Sequence, residues 1–212
     1  LFRPYAEAGR EIVCFSISAG MSTSGNVMRL AAEELGASDR IKVIDSANLS
    51  TGIGLLVVEA AIMAKNNRTA SQIVSEIEKL KPNVRASFVV DTLTYLYRGG
   101  RCNAVAAMAG GVLKLHPRIV VEDGAMNASK KYRGKIASVV MNYVKDMEKD
   151  LKKARPERVF ITHSGCEQET VEKVRAYLKE LDIFDEILET RAGGVVSSHC
   201  GPGTLGVLYI AK

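Results

Sequence analysis

The stretch "IVCFSISAGMSTSGNVMRLAAEEL", residues 12–35, decides how this chain is read. Its first part, 12–15, is an apolar run of strand type. Its last part, 27–35, repeats apolar residues at helical spacing and stops at Gly36, a plausible helix terminator because glycine enters the left-handed region without steric cost. Between them Ser16, Ser18, Ser22, Thr23 and Ser24 place five hydroxyls within nine residues. A strand leading through a polar loop into a helix is the repeating half of a parallel sheet, and a single hydroxyl is enough to cap the helix. The surplus hydroxyls sit where open α/β sheets bind ligands, at the carboxyl end of a strand and beside a helix N-terminus that favours an anion. Capping and turn chemistry are the competing account of the same residues. The loop carries neither a Walker lysine nor G-x-G-x-x-G, so a nucleotide phosphate is not indicated.

Working outward, strand and helix patterns alternate. Residues 41–45 read as a strand, 53–66 as an apolar helix, and "TASQIVSEIEKLK" as a helix opened by a Thr69-x-x-Gln72 capping box. From Val84 the character changes. Strand 84–90 is followed by a short helix in "DTLTYLYRGG", a small-residue helix in "NAVAAMAGGVL", and a hairpin about Asp123-Gly124, a type I′ turn signal. One long amphipathic helix is expected over 134–154, then strand 157–163, helix 169–181, strand 185–191 and a last strand at 204–211. The expectation is an α/β protein of two domains: residues 1–83 from a parallel-sheet domain and residues 84–212 a mixed-sheet α/β domain, with a ligand crevice between the two. The opening "LFRPYAEAGR" reads as the tail of a helix, so part of the first domain is expected to precede Leu1.

Composition narrows the function. The 212 residues are 47% hydrophobic and 25% charged with net charge +5, an ordinary globular balance. The basic residues are dispersed among acids, and the one basic run, "SKKYRGK" at 129–135, lacks the patterning of a nucleic-acid motif. It reads as a solvated face, with an acidic ligand or partner as the other option. Cys14, Cys102, Cys166 and Cys200 form no C-x-x-C pair and, with three histidines, suggest no metal site. A reducing, cytoplasmic setting is therefore expected. No apolar run approaches the roughly 20 residues that span a bilayer, and no signal peptide is visible.

Two further stretches could carry chemistry. "DTLTYLYRGGR" displays Arg101 after a Gly-Gly turn, placed to solvate the surface, cap carbonyls or meet an anion. "SSHCGPGTLG" sets His199 before a rigid Gly-Pro-Gly turn. His163, in "ITHSG", follows a strand. Either histidine reads as satisfied structure or as half of a nucleophile pair whose third member the sequence does not identify.

Taken together, these stretches resemble the DegV family. "SAGMSTS" resembles its S-S-x-L-S-G-T loop, "LTYLYRGGR" its L-x-Y-L-x-x-G-G-R signature, and "SHCGPGTLG" its terminal H-x-G-P-G-x-x-G turn. "VIDSANLSTGIG", "EDGAMNASKKYRG" and "FITHSG" sit where the family has D-S, d-G followed by K-x-R-g, and a strand-to-histidine step, so the resemblance spans the chain. It implies a DegV-like two-domain fold that binds one long-chain fatty acid and presents it to a separate fatty-acid kinase: a carrier subunit with no catalytic residue, no metal and no cofactor of its own. It also implies no nucleic acid and no integral membrane segment, with transient contact at a membrane surface an option. Ser22 matches the family's carboxylate-binding serine, Ser24 the neighbouring threonine and His199 the histidine beside the head group, with Thr23 between the two serines. Arg101 and Arg133 match basic residues linked to phosphate contact or kinase docking. The apolar helices at 53–63 and 103–113 are candidates to line the tail slot, or simply core.

Departures from the family are Thr23 where glycine is usual, Ala19 for a second serine, His116 where a lysine precedes Pro117, and Cys200 where threonine is common. The family's T-D-S motif would lie before Leu1. Two other classes stay open: a small-molecule transferase or hydrolase using Ser22 and His199, and a nucleic-acid or regulatory module on the basic hairpin.

Overall fold

The computed structural model describes residues 1–100 and 115–212. These form two compact units, one of residues Leu1–Pro82 with Asp123–Ala125, the other of Asn83–Glu122 and Met126–Lys212.

In the first unit the elements run α1 (Arg3–Glu7), β1 (Ile12–Ser16), α2 (Ser24–Glu34), β2 (Ile41–Asp45), α3 (Ser50–Lys65) and α4 (Ala70–Leu80). β1 and β2 pair in parallel, from Ile12 opposite Ile41 to Ser16 opposite Asp45, so the two strands end side by side. Ala6, Ala32, Ala37 and Ile41 form a small buried cluster beneath them. The capping box is present: the Thr69 side chain accepts from the Gln72 N–H, and the Gln72 side chain accepts from the Thr69 N–H. Helix α3 begins at Ser50, three residues before the expected start, because Asn48 Oδ1 accepts from the Leu49 N–H and helps satisfy the backbone at its entry.

The second unit comprises β3 (Val84–Val89), α5 (Thr94–Gly99), β4 (Leu115–Glu122), β5 (Ala125–Arg133), α6 (Ile136–Asp146), α7 (Glu148–Leu151), β6 (Ala154–Ser164), α8 (Gln168–Glu180), β7 (Glu186–Arg191), α9 (Gly194–Cys200) and β8 (Thr204–Ala211). Its six-stranded sheet has the order β5-β4-β3-β8-β6-β7. β3 is antiparallel to β4 and β8, β8 to β6, while β6 and β7 are parallel, which makes the sheet mixed. This is the α/β architecture the sequence implied. Asp123 (φ 49°) and Gly124 (φ 74°) both take the left-handed conformation a type I′ hairpin requires. β8 lies near the centre of the sheet and is buried along nearly its whole length, which explains its unbroken apolar run.

Two expectations need correction. The single helix over 134–154 is two: α6 ends at Asp146, α7 is a short separate turn, and Ala154 already begins β6. Val144, Met147 and Leu151 are all buried in one cluster, so their spacing reads as one continuous helix although the helix is interrupted at Met147. Strand β6 starts three residues early because a register shift between Ala154 and Val159 accommodates Pro156. Helix α9 has no strong signal in the sequence, since Gly-Gly and two β-branched valines are poor helix formers.

Tyr143, on α6, is fully buried. Its hydroxyl donates to the Ser87 carbonyl (2.7 Å) and accepts from the Val207 N–H (3.0 Å), joining β3 and β8 where those two residues face each other. Burial pushes the phenol up, against the lowering effect of the Ser87 hydroxyl and the Val207 N–H. Tyr143→Phe strands a buried carbonyl and a buried N–H. It is expected to cost about 2 kcal/mol of unfolding free energy, read as a lowered urea midpoint of the second unit.

Candidate functional site

The site begins where β1 and β2 stop. Backbone groups leaving the ladder there need new partners. Asp45 supplies two acceptors, Oδ2 for the Ala19 N–H (3.2 Å) and Oδ1 for the Ala47 N–H (2.9 Å), which ties the loops after β1 and β2 together. Ser46 donates to the Asn48 carbonyl and accepts from the Asn48 N–H, while the Ser18 N–H donates to that same carbonyl. Ser18 Oγ donates to the Gly124 carbonyl at 2.6 Å and accepts from the Gly20 N–H. Ser16, Ser18, Ser46 and Asn48 are all buried and all structurally engaged. Ala47 (φ 49°) and Ser50 (φ 50°) are held left-handed in this loop, a conformation side chains rarely adopt.

Ser22 and Ser24 differ from the other serines. They are only half-buried, and their hydroxyl oxygens lie 2.7 Å apart. Ser22 Oγ also accepts from the Ser24 N–H (3.2 Å). One hydroxyl hydrogen joins the two oxygens, and the other stays available to an acceptor. Thr23 is exposed at the N-cap of α2 and its hydroxyl makes no capping bond. The helix start approaches β1 closely through Gly25, where a Cβ would lie 2.7 Å from Ser16 Oγ. The result is a pair of neutral hydroxyls at the positive end of an 11-residue helix, an arrangement suited to a carboxylate.

In the second unit α5 packs on α9. A Cβ on Gly99 would collide with the His199 ring, and one on Gly201 would collide with the Tyr95 ring. The "YLYRGG" and "SSHCGPG" segments, a hundred residues apart in sequence, therefore meet through glycines. Beside His199, Ser197 and Ser198 donate to the Ala192 and Val195 carbonyls. Arg133 is exposed at the end of β5. Arg101 and the segment 103–113 lie outside the described residues.

His163 is buried, with Nδ1 accepting from the Cys166 N–H and Nε2 3.4 Å from Glu189, a structural setting. A cleft of about 320 Å³ at the carboxyl ends of β6 and β7 is lined by His163, Ser164, Gly165, Arg191 and Ala192, with Ser197 and Pro202 from either side of His199. Burial pushes the Cys14 and Cys200 thiols up, and burial with the nearby Cys200, Glu167 and Asp91 pushes Cys166 up to about 12. All three therefore stay protonated and poorly nucleophilic near neutral pH. Among the described residues no group of three or more His, Cys, Asp or Glu could hold a metal ion, and no helix is long and apolar enough to cross a membrane. Reading the sequence missed Asp45, Ser18, Ser46 and Asn48 as the scaffold of the serine pair. The polar "DSAN" after a strand was the available signal.

A parallel α/β unit with a serine pair at a helix start and a mixed-sheet unit carrying the glycine-packed histidine define a two-unit α/β class. The family model described as "Uncharacterised protein, DegV family" matches residues 1–212, and the chain belongs to the DegV family. A DegV domain-containing protein of Clostridium perfringens (strain 13 / Type A) is 32% identical over 213 residues, covering 99% of this chain and 72% of the relative. Among solved structures, one described as fatty acid binding of a DegV family protein from Thermus thermophilus superimposes with a TM-score of 0.87 at 27% identity, covering 99% of this chain and 75% of that one. DegV from Bacillus subtilis, described as a fatty acid binding protein, gives a TM-score of 0.79 at 27% identity with the same coverage.

The glycine contact is directly testable. Gly99→Ala is expected to displace the His199 ring and to cost about 1–3 kcal/mol, seen as a shifted His199 ring resonance and a lower urea midpoint. Gly194→Ala, whose added methyl meets nothing within 4 Å and whose φ is not left-handed, should leave that resonance in place.

Proposed function

We propose that this protein is a cytoplasmic fatty-acid carrier that holds one long-chain acid by its carboxylate and presents it to a fatty-acid kinase, without chemistry of its own. The observation that carries the reading is the Ser22–Ser24 pair with its spare hydroxyl proton at the start of α2. Solved relatives at 27% identity described as fatty acid binding support it. Neutral donors and a helix N-terminus hold a carboxylate while leaving it reactive, without the desolvation that burying a charge pair would bring. Affinity then comes from the tail, at about 0.8 kcal/mol for each buried CH₂. The apolar α3 is the candidate described element for lining its slot.

Ser22, Thr23, Ser24 and His199 form the proposed ligand-binding set, and Arg101 with Arg133 the proposed contact for acyl phosphate or for an acidic kinase surface. The hydroxyl partner of Ser22 is another hydroxyl rather than a base, which favours a donor role over a nucleophilic one. On the basic hairpin, Lys130 is bonded to Asp146 at 2.6 Å, which supports a structural use of part of that charge.

Native mass spectrometry and denaturing lipid extraction of purified protein are expected to find one long-chain acid per chain. Protein that never retains an acyl chain from acyl-replete cells would overturn the reading. Ser22→Ala should weaken acyl binding by about 2 kcal/mol, roughly thirtyfold. Arg133→Ala is expected to slow acyl transfer to a fatty-acid kinase while leaving lipid retention unchanged; equal loss of both would remove Arg133 from the docking role.

A further inference from the structure

His116, near the start of β4, is 5% exposed and its ring lies among three chain segments. Nδ1 is 3.3 Å from the Val90 carbonyl and 3.6 Å from Asp91 Oδ1, and Nε2 is 3.0 Å from the Gly134 carbonyl. Carbonyl oxygens only accept, and a neutral imidazole has a single N–H. Either neutral tautomer therefore sets a ring lone pair against a carbonyl lone pair. The imidazolium donates to both, in a buried setting where an unpaired nitrogen is unfavourable, with the Asp91 carboxylate alongside.

The contacts are informative because of where they fall. Gly134 directly follows Arg133 and has a left-handed φ of 123°. Asp91 in turn packs on the Gly-Pro-Gly turn after His199: a Cβ on Gly203 would lie 3.4 Å from Asp91 Cβ.

We infer that His116 is a positioning residue: as an imidazolium it ties the Arg133–Gly134 turn to the end of β3 and so sets where the Arg133 guanidinium is offered. The charged groups around it are Asp91 from the segment after β3, Arg133 and Lys135 flanking Gly134, and Arg118 on its own strand, whose guanidinium lies over the Tyr143 ring at 5.7 Å. The Cys166 thiol, which feels the Asp91 charge, is neutral near pH 7. Gly203, which packs on Asp91, and Ile136, next to Gly203, carry no charge. The inference rests on the reading of Arg133 as an anion contact, and the test separates the two.

The full chain is titrated by NMR, with sulfate as the probe because it stays a dianion throughout the range in which histidine titrates. The three histidine rings are assigned by single replacement. Backbone amides of Arg133, Gly134 and Lys135 are expected to follow the His116 ring curve and neither of the other two. Sulfate should perturb the Arg133 Nε–H on the acid side of that curve, with affinity falling roughly fivefold on the basic side and in His116→Phe, and recovering in His116→Lys, which restores a cationic multiple donor. Static amides at 133–135 while His116 titrates would overturn the inference, even if His116→Phe does not fold. So would unchanged sulfate affinity in a folded His116→Phe. If the amides follow His116 but sulfate never reaches Arg133, the His116 tether stands and the anion role of Arg133 falls.

Discussion

A parallel pair of strands that stops side by side leaves its last backbone groups without ladder partners, and the candidate site is built around that constraint. Beyond Ser16 and Asp45 the chain turns twice, through loops in which Ser18, Ser46 and Asn48 are buried, so polar side chains take over from the ladder. Asp45 bridges the two loops, Ser46 and Asn48 close the second, and Ser18 closes the first onto Gly124. A buried donor or acceptor left unmet would cost about 1–3 kcal/mol, so these residues are confined to one arrangement. That rigidity presents Ser22 and Ser24 at the head of α2 with a hydroxyl proton to offer. A preorganised pair loses little entropy when it meets a ligand.

The second unit reaches a comparable end by close packing. Glycines at 99 and 201 let α5 and α9 approach until the His199 ring lies where a Cβ would stand and the Tyr95 ring fills the space at the following turn. The sheet beneath is held by central β8 and by the Tyr143 hydroxyl, which joins Ser87 to Val207. The His116 ring belongs to the same logic. It is a short polar side chain in a buried place, bridging backbone groups from segments far apart in sequence.

Elements whose determinants are local were legible before any coordinates. The Thr69–Gln72 capping box, the Asp123-Gly124 turn, β2 at Ile41–Asp45 and β8 at Thr204–Ala211 each depend on residues within a few positions of one another. The interruption at Met147 was hidden because Val144, Met147 and Leu151 keep helical spacing and are buried in one cluster. The early start of β6 depends on a register shift against β8, and α9 on packing against α5. Ser22 and Ser24 were legible as candidates, but the loop held too many hydroxyls to tell donors from scaffold.

By itself, the sequence determined the α/β class, the order of most elements and the three motif segments, because hydrophobic period, caps and turn residues act over short range. Tertiary structure alone decided which hydroxyls are structurally engaged. Ser16 and Ser18 are buried and donate to carbonyls of other segments, Ser46 is buried and donates to Asn48 in its own loop, and the half-buried Ser22 and Ser24 bond to each other. It likewise decided that His199 rests on Gly99 and that both nitrogens of His116 face carbonyls, since a side chain's partners are set by long-range packing that no local pattern encodes.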